Sequence, residues 1–94
     1  SLMEERNPLY TGQDAKRLKE DPVLIDAFAA LEKAFLDQAV ICERNDDDAR
    51  YRCIVGVQVL RMINKHFDKL IFDGKSASKI AQAIANNKAG WEQG

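Results

Sequence analysis

Asp21-Pro22-Val23-Leu24-Ile25-Asp26-Ala27-Phe28-Ala29-Ala30-Leu31-Glu32-Lys33-Ala34-Phe35 is the stretch that decides the fold. Aspartate before proline is a strong helix start. The carboxylate can accept from the free N–H groups of the first turn, and Pro22 sits where its missing N–H costs nothing. Leu24, Phe28, Leu31 and Phe35 then recur at helical spacing. Gln38 and Cys42 continue that row, and Ala27, Ala34 and Ile41 widen it. The pattern predicts a helix from Pro22 to about Ile41-Cys42 with a broad apolar stripe.

Outward from that helix, Glu43-Arg44-Asn45 reads as a polar turn of the length that joins antiparallel neighbours. Asp46-Asp47-Asp48 then opens a second long helix running to Asp73-Gly74. Asp46 or Asp47 serves as its cap, and the aspartates suit the positive end of the helix dipole. On one face it carries Cys53, Val57, Leu60, Ile63 or Asn64, Phe67 and Ile71. Ile54, Val59, Met62 and Leu70 extend the belt beyond what one partner helix covers. Gly56 lies inside the belt, where it costs ~1 kcal/mol against alanine, so another helix is expected to approach it closely. Gly74 is expected to stop or kink the helix, with Ser76 capping a final segment of about Ala77 to Asn86. A short helix of about residues 12–20, using Ala15 and Leu18, is expected ahead of Asp21. The fold class is all-α: an antiparallel helical hairpin of two long helices with short flanking helices, completed as a bundle by oligomerisation. The expected organisation is a flexible N-terminal arm (1–10), a single helical domain (11–87) and a C-terminal tail (88–94) holding Trp91. Asn7-Pro8 argues against helix in the arm.

The chain has 94 residues, enough for one domain whose own core is modest. Net charge is −1, with no global pull toward nucleic acid or anionic membrane. The distribution is polarised: residues 22–48 sum to 2 − 7 = −5, and residues 49–94 to 8 − 3 = +5. The main reading is complementarity within a hairpin or dimer, and the sharper alternative is a basic surface for phosphate backbone. No run of about 18 apolar residues could span a membrane. Met3 is expected to be the natural start, with no signal peptide, so a cytoplasmic protein is expected. Cys42 and Cys53 fall about five residues, or ~7 Å, out of register in an antiparallel pair, and read as reduced packing thiols.

Little in the sequence points to chemistry. His66 is the only histidine, which excludes a histidine triad or multi-histidine metal site within one chain. The Asp46–Asp48 run lacks the alternating ligands, glycine and distal glutamate of a calcium loop. Asp73-Gly74-Lys75-Ser76 resembles the end of a phosphate loop, but Leu70, Ile71 and Phe72 before it are helical, not a strand. No catalytic residue, cofactor or metal is expected. Arg61, Lys65 and Lys69 form a basic row, with Arg50 eleven residues earlier on nearly the same face. That row is either solvated or a phosphate or partner contact. Val59, Met62 and Leu70 are the expected oligomer contacts.

Asp21-Pro22-Val23-Leu24, Ala27-Phe28 and Leu31-Glu32-Lys33-Ala34-Phe35 resemble the opening helix of small all-helical proteins of tailed phages and prophages of α-proteobacteria. Asp46 and Arg50 match that group's turn. Leu60-Arg61, His66-Phe67, Ile71 and Gly74-Lys75 match its next helix. The resemblance covers residues 21–80 and departs at Cys53 and Ile54, where the group often carries a tryptophan. It implies a non-enzymatic accessory role in particle assembly or DNA packaging. The expected partners are further copies of the chain, a dimer favoured, and a phage structural or packaging protein. The alternative is a small DNA-binding or regulatory module using Arg50, Arg61, Lys65 and Lys69.

Overall fold

The computed structural model describes residues 7–93, with side chains through Lys88. Three helices make up almost all of it: α1 (Pro8–Lys19), α2 (Pro22–Ile41) and α3 (Asp47–Gln93). No strand occurs among the described residues.

α1 begins earlier than the sequence reading placed it. Asn7 accepts the Leu9 N–H on its side chain at 2.9 Å. Its carbonyl accepts from Tyr10 at 3.0 Å and Thr11 at 3.2 Å. Asn7-Pro8 is therefore a cap followed by a first-turn proline. The extended conformation that proline imposes on its predecessor is the one a cap residue adopts. The expected arm thus shrinks, and residues 1–6 lie outside the described chain.

α2 starts as its sequence demands. Asp21 is extended (φ −69°, ψ 121°), and its carboxylate accepts from Val23 at 2.8 Å and Leu24 at 3.3 Å. The helix closes at Cys42, whose N–H donates to Gln38 at 3.1 Å. Asp46 caps α3, its carboxylate accepting from the Ala49 N–H at 3.1 Å.

α3 corrects two expectations. It passes through Gly74 and continues to Gln93, so neither a break at Gly74 nor a separate capped helix from Ser76 exists. A glycine C-cap works by adopting positive φ, and no glycine among the described residues does so. The segment from 88 onward, expected as a tail, is helical in backbone up to Gln93.

Contacts divide the chain into two compact units, Leu18–His66 on one side, and the residues up to Arg17 with those from Phe67 onward on the other. In the Leu18–His66 unit, Ala39, Cys53, Val57 and Leu60 are buried, and Leu24, Phe28 and Phe35 are half-buried. The Phe35 ring lies against Gly56, and a Cβ there would sit 2.7 Å from ring carbons. The close approach expected at Gly56 is therefore present. Leu31 (50% exposed), expected in the core, is at its edge; of the alternatives Ile63 and Asn64, Asn64 is half-buried and Ile63 is 41% exposed. A single partner helix covers only part of a wide stripe, and the covered row runs through Leu24, Phe28, Phe35 and Ala39 instead.

The other unit packs α1 on the later part of α3 through glycines. A Cβ on Gly12 would lie 2.8 Å from Gly74 Cα and 2.9 Å from the Leu70 carbonyl oxygen. Ala15 is the most buried residue of this contact, at 2% exposure.

Candidate interaction surface

α2 is the least polar element. Its charged residues are Asp26, Glu32, Lys33 and Asp37. At 100° per residue, Asp26, Lys33 and Asp37 fall on one narrow stripe, where Lys33 donates to Asp37. Glu32 lies elsewhere and pairs with Arg61 at 2.7 Å. A helix apolar around most of its circumference is ordinarily buried on most sides. Here one side is covered. Val23 (78%), Val40 (82%) and Ile41 (73%) are largely exposed.

The exposed residues of α2 form two strips flanking the covered row. One is Val23, Ala27, Leu31, Ala34, Gln38 and Ile41; the other is Ile25, Ala29, Leu36 and Val40. Glu32–Arg61 marks the side of the second strip. Val59 and Ile63 of α3 fall on the opposite side, with the first strip. Of the expected oligomer contacts, Val59 (47%) and Met62 (67%) are exposed. Leu70 is half-buried, with its carbonyl oxygen close to Gly12 of α1. By periodicity alone Ala27, Ala34 and Ile41 are flanks of a core row, and Val23 carries no signal of its own.

Three of the four basic candidates have work inside the chain. Arg50 donates from Nε to the Ala39 carbonyl at 3.3 Å and from Nη2 to the Glu43 carbonyl at 3.2 Å. It also pairs with Asp47 at 3.3 Å. A helix leaves its last carbonyls without intrahelical donors, so Arg50 caps the end of α2 from the start of α3. Arg61 holds Glu32, and Lys69 pairs with Asp73 at 3.1 Å. Lys65 is exposed, with no ion pair among the described residues. Arg50→Ala should lower stability by about 1.5–3 kcal/mol, the range for hydrogen bonds to a charged group. Arg61→Ala should cost under ~1 kcal/mol, as an exposed pair. Equilibrium urea unfolding checks the order, and equal losses would contradict the capping role.

His66 is exposed, and Cys42 and Cys53 are both free thiols. Among the described residues no three His, Cys, Asp or Glu side chains are grouped to hold a metal ion. None of the helices, over those residues, is long and apolar enough to cross a membrane. A crevice of about 200 Å³ runs between α1 and α3, lined by Leu9, Gly12, Gln13, Lys16, Ile71, Gly74, Lys75 and Ser78. It is smaller than the ~300–1,000 Å³ usual for small-molecule sites. Comparison with protein-family models, curated proteins and solved structures gave no match.

Proposed function

We propose that this chain is a non-enzymatic helical protein that works by protein–protein contact, first with further copies of itself. The observation that carries this is α2: apolar on all but a narrow stripe, and covered on one side only. Its contacts with α3 support an antiparallel hairpin. The pairs Ala39–Arg50, Phe35–Gly56 and Glu32–Arg61 run in opposite chain directions. A hairpin with so small a core gains stability when a second one completes a bundle. The role that fits is a phage- or prophage-type accessory in particle assembly or DNA packaging, as the resemblance over residues 21–80 implies. It is a cytoplasmic role, with a phage structural or packaging protein as the further partner.

DNA binding through Arg50, Arg61, Lys65 and Lys69 is the weaker reading. A cation already holding a carboxylate or capping a helix releases few counterions on meeting phosphate. If association completes the fold, the unfolding midpoint rises with protein concentration. A midpoint constant over a hundredfold range of concentration would contradict self-association.

A further inference from the structure

We infer that a second copy of this chain covers the α2 strip of Val23, Ala27, Leu31, Ala34 and Ile41 with Val59 and Ile63 of α3. In this arrangement α2 of each copy lies over the partner's α3. The inference rests on the self-association reading and adds which face is used and how the copies are arranged.

Three observations select this face and this occupant. The first is charge. The α2 side of the strip carries no charged residue. The opposite strip of Ile25, Leu36 and Val40 runs beside the Glu32–Arg61 pair, so covering it would desolvate ions. The second is complementarity between copies. Of the bases in residues 47–66, Arg50 and Arg61 are held by their own chain, and Arg52 is exposed. Stacking α2 on the partner's α3, about a two-fold axis parallel to the helices, sets α2 of each copy on α3 of the other. It also places the exposed Arg52, at the end of the face, near the carbonyl end of the partner's α2, where a cation is favoured. The third is size. α2 is 20 residues long, and a face two helices wide covers ~600 Å² in projection. That approaches the ~800 Å² per partner of a standard stable interface. Ala27 and Ala34 are exposed and small, which lets the backbones come close.

The test compares Ala27→Glu and Ala34→Glu with Val40→Glu on the opposite strip. All three positions are exposed, and circular dichroism checks that each variant keeps its helix content. Self-association is measured by sedimentation equilibrium. Two-fold symmetry buries each new carboxylate twice without a partner, so both alanine variants should weaken association by about 100-fold or more. Val40→Glu should leave it unchanged. If Val40→Glu alone dissociates the protein, or none of the three does, this face is wrong while self-association stands. If the unmodified chain is monomeric, both fall. Loss of helix in both alanine variants would also overturn the inference, because it would place that strip inside the fold of a single chain.

Discussion

Gly74→Ala is expected to release α1 from α3, although alanine is the better helix former. The substitution favours helical backbone by ~1 kcal/mol. Against that, the new Cβ would lie 2.9 Å from Gly12 Cα and 3.1 Å from the Pro8 carbonyl oxygen. Both obstacles are backbone, so no side-chain rotation relieves them, and α1 must move as a body. Overpacking in a tight contact costs typically 1–3 kcal/mol. A 12-residue helix docked through two glycines and Ala15 has little else to hold it. Gly12→Ala should do the same, since its Cβ would meet Gly74 Cα at 2.8 Å. Hydrogen exchange on the full chain reads this directly. Amides of residues 10–19 should lose protection in either variant, while those of 53–60 keep theirs. Unchanged protection in α1 would show that the glycine crossing is not what seats it.

The second large effect is at Leu60. It is 9% exposed, next to Val57 (5%) and Cys53 (8%), at the centre of the α2–α3 contact. Leu60→Ala leaves a cavity in a core with little else to collapse into it and should cost ~2–5 kcal/mol. Leu31→Ala is the informative contrast. The sequence pattern gives both leucines equal standing, yet Leu31 is 50% exposed. Its truncation should cost well under 1 kcal/mol in dilute solution and more at concentrations where copies associate. Urea unfolding of both variants at two protein concentrations separates these outcomes. Equal losses at low concentration would put Leu31 in the core of a single chain.

The contrast shows what the sequence could carry. Asp21-Pro22 and Asp46 placed the starts of α2 and α3 because capping is local chemistry, readable from a few residues. Gly56 was also legible, since a glycine inside an apolar helical belt asks for a close neighbour and Phe35 supplies one. Gly74 asks the same question but is followed by Lys75-Ser76, which reads equally well as a stop and a restart. Only the α1 crossing, absent from any local pattern, decides between them. Asn7-Pro8 is ambiguous for a related reason: a dipeptide that ends one helix also begins another. The candidate face was half legible. Periodicity gave too much apolar surface for one partner, but not which residues the first partner takes. Leu31 therefore reads as inward, and Ile63 and Asn64 read alike. Arg50 was legible as a cation and illegible as a cap, because its acceptors, the carbonyls of Ala39 and Glu43, carry no side-chain signature.

A second copy of the chain is expected to cover one of the exposed sides of α2. Sedimentation equilibrium of the unmodified protein at tens of micromolar tests it most directly. A mass of at least twice 10.6 kDa, falling toward 10.6 kDa on dilution, is the result the account predicts. A single ideal species of 10.6 kDa across the whole range would contradict it.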